Sequence, residues 1–137
     1  MHTLGQIRLI QASSSTIQIS CMKTTEKPVF SPEFLLVLCT CPDEDAARQL
    51  ARTLVEQRLA ACINIGSTIQ SVYRWRDEIR EDQEVLLMIK TTKSGWARLE
   101  QTLLELHPYD VPEIIAMPIV AGSQDYLNWV GENVCTD

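Results

Sequence analysis

The chain has 137 residues, 45% of them apolar, which is the size of one globular domain with a core of its own. Twelve Lys and Arg against eighteen Asp and Glu give a formal charge of -6, so the clustered cations that release counterions from a nucleic acid are missing and no nucleic-acid partner is expected. No apolar run reaches the length of a membrane-crossing helix, and no basic segment followed by an apolar stretch and a small-residue cleavage site opens the chain. A cytoplasmic protein with no membrane partner is the expectation.

Five cysteines, Cys21, Cys39, Cys41, Cys62 and Cys135, are an odd number without a disulfide-like framework, and reduced thiols are expected. Residues 1–32 are rich in Gln, Ser and Thr and end in Pro28 and Pro32, a composition that predicts a flexible leader ahead of a folded domain over 33–137. FLLVLCT, residues 34–40, is a continuous apolar run of the kind a doubly buried strand shows, and it stops at Cys41-Pro42. Asp43, Glu44 and Asp45 then favour a helix N-terminus. Ala47, Leu50, Ala51, Leu54 and Val55 follow at helical spacing.

ACINIGSTIQSVYRW, residues 61–75, alternates in polarity, with Ile63, Ile65, Ile69, Tyr73 and Trp75 on one parity and Gly66 marking a bend or bulge. RDEIRED predicts a polar turn, its acids Asp77, Glu78, Glu81 and Asp82 forming a solvated tip. EVLLMIKTT, residues 84–92, returns as a buried strand and completes a long hairpin. A second helix is expected from about Ser94, with Trp96, Leu99, Leu103 and Leu106 as its apolar stripe, and Pro108 requires it to stop by His107. EIIAMPIV, residues 113–120, is the last strand, with Pro118 indicating an edge or bulge, and Gln124 to Glu132 reads as a short terminal helix.

Two strand-helix-strand halves around one sheet predict an α+β, ferredoxin-like β-α-β-β-α-β sandwich whose helices cover one face. The other face and the overlong hairpin then leave apolar surface and strand edges that pairing with further copies would hide.

The blocks LCTCPDEDAARQLA, LAACINI, YRWRDEI, LMIKTT, LHPYDVPEII and DYLNWV, in that order from about Phe34 to Val134, resemble the CutA family of divalent-ion tolerance proteins. The resemblance implies a cytoplasmic homotrimer of ferredoxin-like subunits, similar in architecture to the PII signalling proteins, that binds copper and takes part in the response to metal ions. It also implies a metal site. Family members with an assigned copper site carry a Cys in the first strand, here Cys39, and a His-His pair before Pro-Tyr, which in this chain reads Leu106-His107. Other divalent cations remain open as ligands.

Each candidate also has a structural reading. Cys39 is either a copper ligand or an inert core thiol, since burial keeps a thiol protonated. Cys41 adds a second thiol, although alternate positions of an extended strand are far apart for chelation without a turn at Pro42. His107 either ligates a metal or caps the second helix, and the two roles are compatible. Leu106 reads as core packing. Glu84 and Lys90 flank the third strand on one parity and, with Trp75, Tyr109, Glu113, Tyr126 and Trp129, either line an intersubunit cleft for a small molecule or partner protein, as a PII-like sensor would, or pack a subunit interface. Catalysis is not expected. The loop after the first strand, CPDED, is acidic where a phosphate-binding loop needs cationic or amide donors, and no nucleophile-base set or paired-carboxylate constellation is present.

Overall fold

In the computed structural model, residues 33–135 are described, and the expected leader over 1–32 lies outside them. The apolar run Phe34–Cys41 forms strand β1, which the hairpin strand and the last strand flank on either side. Helix α1, Glu44–Glu56, begins where Asp43 takes an extended backbone and its side chain accepts from the Ala46 N–H at 2.8 Å, satisfying one of the free amides of the first turn. It ends in a reciprocal pair of bonds, Leu59 N–H to Leu54 O at 2.9 Å and Arg58 N–H to Val55 O at 3.0 Å, with Arg58 in the left-handed region at φ 57°. Leu54 and Leu59 are both buried, so this turn also delivers the chain into the core.

Strands β2, Cys62–Trp75, and β3, Glu78–Thr92, form the long hairpin. Its turn differs from the expected RDEIRED loop. Only Arg76 and Asp77 connect the strands, both at positive φ (49° and 65°), the backbone that a two-residue hairpin needs to match strand twist. Glu78, Glu81 and Asp82 belong to strand β3 instead, paired with Trp75, Val72 and Ser71. The Arg76 guanidinium lies 5.7 Å from the centre of the Trp75 ring, a cation–π contact at the tip.

Gly66 marks a bulge, as its sequence position predicts: the pairing shifts between Ile65, opposite Leu87, and Thr68, opposite Val85. A Cβ at Gly66 would meet the Leu86 carbonyl oxygen at 3.2 Å, so the close approach favours glycine. The extra residue has a consequence that simple alternation misses. Leu87 and Val85 share one face of β3, so Ile63 and Ile65 lie on that face while Ile69, Tyr73 and Trp75 move to the other.

Helix α2, Trp96–Leu106, and strand β4, Ile114–Pro118, follow, and helix α3, Gln124–Glu132, closes the described chain. The result is a small α+β unit with a four-stranded sheet in the order β2-β3-β1-β4, every neighbouring pair antiparallel. β1 and β2 therefore run parallel with β3 between them, and β3 and β4 run parallel with β1 between them. Pro118 sits on the edge strand β4, where its missing N–H costs no ladder bond.

One side of the sheet, carrying Val37, Cys39, Cys41, Val85, Leu87 and Ile89, packs with Ala47, Leu50 and Leu54 of α1 and Leu99 and Leu103 of α2. Each fully buried leucine stabilises the fold by roughly 1.5–3 kcal/mol relative to exposure. At the start of β1, Phe34 packs with Ala61, Val130 and Val134 in a smaller cluster that anchors α3. Leu106 is not core packing: it is 49% exposed. The buried stripe of α2 runs Leu99, Leu103 and then His107, so the step of four after Leu103 lands on the histidine rather than on its neighbour.

Candidate metal centre

Cys39 and Cys41 project from the same, helix-facing side of β1, because side chains two apart on a strand share a face. His107 enters from the C-terminal end of α2, where its backbone turns extended (φ -69°, ψ 136°) ahead of Pro108 and its N–H still reaches Leu103 O at 2.9 Å. The two sulfurs and one imidazole nitrogen all lie within 4.8 Å of one another, and all three side chains are buried. The two thiols thus converge without a turn at Pro42, contrary to the expectation from strand geometry alone. Leu106 points away from this cluster into exposed surface and contributes nothing to it.

The imidazole is held from both sides. Its Nδ1 accepts from the Tyr109 backbone N–H at 3.1 Å, which places the proton on Nε2, and Nε2–H donates to the Thr40 carbonyl at 2.8 Å. His107 is the C-cap residue of α2 through its backbone N–H, but its ring donates not to the carbonyls of its own helix but to the backbone of β1 between the two cysteines. The Thr40 carbonyl is a partner no side-chain motif could have signalled. Two residues on, the Tyr109 ring lies 4.9 Å from that of His107, and its hydroxyl donates to Glu84 at 3.3 Å.

The thiols influence each other. A hydrogen bond with Cys41, followed by burial, holds Cys39 above the ordinary thiol range, and the charges of Glu113 and Glu84 add to the effect. The same bond, seen from the other sulfur, lowers Cys41 against the opposing effect of burial. The two thiols are thus biased in opposite directions, Cys39 toward the protonated form and Cys41 toward the thiolate, and the Cys39 thiol also donates to the Thr40 carbonyl at 3.9 Å. Burial and the nearby Glu84 carboxylate push Tyr109 up to about 12.

The remaining sequence candidates lie outside this cluster, at several places in the chain. Trp75 sits at the hairpin tip beside Arg76. Glu84, only 8% exposed, stands at the hairpin root with Tyr109, near the place where Tyr73 donates to Asp82. Lys90 donates to the Asn64 side chain and, at 3.2 Å, to the Met88 carbonyl. Tyr126 and Trp129 of α3 are exposed with ring centres 5.7 Å apart, and Glu113 lies just ahead of β4. Two surface depressions, one around Phe34 and Thr92 and one around Arg48 and Ile63, include none of these seven residues.

The donor set can be judged on chemistry. Two sulfurs and an imidazole suit a soft cation, whereas calcium and magnesium require several oxygen ligands, and carboxylates are not among the converging atoms. The residues present therefore fit copper, with the condition that ligation by His107 through Nδ1 gives up the Tyr109 bond, and through Nε2 also requires loss of its proton.

Known proteins share this framework. The divalent-cation tolerance protein CutA of Thermus thermophilus is 51% identical over 98 residues, covering 72% of this chain and 95% of its own. A solved structure of the Cut A1 protein from the same organism superimposes with a TM-score of 0.73 at 49% identity, covering 74% of this chain and 99% of the other. CutA1 from Oryza sativa gives a TM-score of 0.75 at 37% identity, covering 78% and 98%. The chloroplastic CutA of Arabidopsis thaliana is 42% identical over 120 residues, 88% of this chain and 63% of that protein. Residues 35–133 match the family described as CutA1 divalent ion tolerance protein, and the chain belongs to that family.

Proposed function

We propose that the protein is a trimeric, ferredoxin-like and PII-like copper-binding member of its family, acting in the response to metal ions in the cytoplasm, with Cys39 and His107 as metal ligands. The observation that carries this reading is the convergence of buried sulfur and imidazole donors within 4.8 Å, in a family named for ion tolerance. When bound, copper would occupy the layer between β1 and the end of α2. Cys39 supplies a sulfur that must lose its proton, and His107 supplies a nitrogen whose orientation is set by backbone partners on either side. No helix among the described residues is long and apolar enough to cross a membrane.

Self-association is supported by what one subunit leaves uncovered. Leu36, Leu38, Leu86 and Met88 lie on the sheet face away from α1 and α2 and are only half-buried, while Ile115 and Met117 beside them are exposed. β3 also extends past the last β1 pair, Cys41 with Val85, so that Glu78–Glu84 pair with β2 alone over about 20 Å. An uncovered apolar face and an unsupported ribbon are surfaces that a second copy can shelter.

A second reading, a sensor that takes a small molecule or partner protein in intersubunit clefts lined by Glu84, Lys90 and the aromatic residues, is favoured by one arrangement. Tyr109 links His107 to Glu84, so the buried donors and the root of the ribbon are mechanically joined. Titrating tag-free protein with Cu(I), Cu(II) and common metabolites separates the readings. Copper uptake that is lost in Cys39→Ser and His107→Ala supports the first. Metabolite binding with no copper uptake supports the second.

A further inference from the structure

We infer that Cys41 completes the centre: Cys39 and Cys41 together clamp a monovalent copper ion and His107 serves as the third, exchangeable ligand, so the site takes soft Cu(I) in preference to divalent cations. This rests on the metal-binding reading above and adds to it a ligand and an oxidation state.

Three observations lead there. First, the sulfurs share one face of β1 and lie within 4.8 Å. With metal–sulfur bonds of about 2.3 Å, two sulfurs about 4.6 Å apart can flank an ion in line, and a slight approach makes room for a third ligand.

Second, His107 is a poor second ligand on its own. Both ring nitrogens already hold hydrogen bonds, to Tyr109 N–H and Thr40 O, so a site made of Cys39 and His107 alone must break one of them to gain its second donor. Cys41 gives up a thiol proton and its interaction with Cys39, but no bond to the backbone. The sulfur pair therefore holds the ion first, and the imidazole joins through Nδ1 when the Tyr109 bond is released, or through Nε2 only when its proton leaves and both ring bonds are given up.

Third, two thiolates and an imidazole in a buried position match the coordination habits of Cu(I). Zinc takes a fourth ligand, a water where the protein supplies only three, and the burial of all three side chains restricts water there. Hard divalent ions take several oxygens, which the converging set does not offer. The copper enters and remains as Cu(I), so no electron is transferred. One proton leaves each sulfur that ligates and passes to solvent.

The test uses the full-length, reduced protein under anaerobic conditions, titrated with Cu(I) against a chromophoric Cu(I) chelator. Wild type is expected to take one ion per chain, and Cys41→Ala to bind more weakly by upwards of about tenfold, since loss of a direct ligand should exceed the effect of losing an outer-shell partner. X-ray absorption of the wild-type copper complex should show two sulfur ligands, which decides the matter even if Cys41→Ala folds poorly. A single sulfur in that spectrum, or undiminished affinity in a folded Cys41→Ala, overturns the inference while leaving Cys39 and His107 as ligands. Zinc bound as tightly as Cu(I) overturns the selectivity. No Cu(I) uptake by wild type overturns this inference and the reading beneath it.

Discussion

The two halves of strand β3 live in different surroundings. From Val85 to Lys90 it is flanked by β1 and β2 and packed beneath α1 and α2, with Val85, Leu87 and Ile89 buried. From Glu78 to Gln83 it pairs with β2 alone and its residues are exposed, Ile79 among them at 61%. One continuous strand thus carries a core that a single subunit completes and a ribbon that it does not. The border between them falls at Glu84, the buried carboxylate that Tyr109 meets. The difference teaches that the buried thiols converge within one chain, while the ribbon is left uncovered, which the proposed assembly would shelter.

Removing the ribbon is the strongest way to break this comparison. Replacing residues 70–83 with Asn-Gly joins Ile69 directly to Glu84, positions already paired across the hairpin, through a turn sequence suited to two-residue loops. The subunit should fold, but light scattering should report one chain per particle. An unchanged assembly would show that the sheet face alone holds the copies together.

A smaller effect sharpens the contrast. Leu103→Ala, in the core beneath the sheet, should cost about 2–5 kcal/mol in denaturant unfolding. Ile79→Ala should leave the isolated subunit within about 0.5 kcal/mol of wild type and change stability mainly through protein concentration, as an association contact does. Equal, concentration-independent losses at the two positions would erase the distinction.

The smallest expected effect lies at the border and depends on pH. Tyr109 is raised from 10.0 to about 12 by burial and by Glu84. Because the folded state holds this proton more tightly than the unfolded chain, the associated stability is intact below pH 10 and is lost as pH rises from about 10 through 12. Tyr109→Phe should flatten the alkaline limb of a stability profile over that window. A profile identical to wild type would remove Tyr109 from the border's energetics.

Much of this architecture was legible in the sequence because each signal was local. The acids after Pro42 announced the start of α1, and Pro108 required α2 to stop by His107, as it does at Leu106. Features that depend on counting across strands were not legible. Gly66 announces a bulge, but only the pairing shows that the extra residue sends Ile69, Tyr73 and Trp75 to the face opposite Ile63 and Ile65. The Arg76-Asp77 turn lacked the Asn-Gly signal that usually accompanies positive φ, so the loop read longer than it is. At the candidate centre, the resemblance to the CutA family pointed to Cys39 and His107. The convergence of Cys41 depends on side-chain direction, and the grip on the imidazole comes from the backbone of Thr40 and Tyr109, which no residue type encodes.

Native mass spectrometry of the reduced, tag-free chain, before and after addition of Cu(I), tests the central claim most directly. The account predicts a particle of three chains that gains three copper ions. A lone chain, or a trimer whose mass does not change with copper, would contradict it.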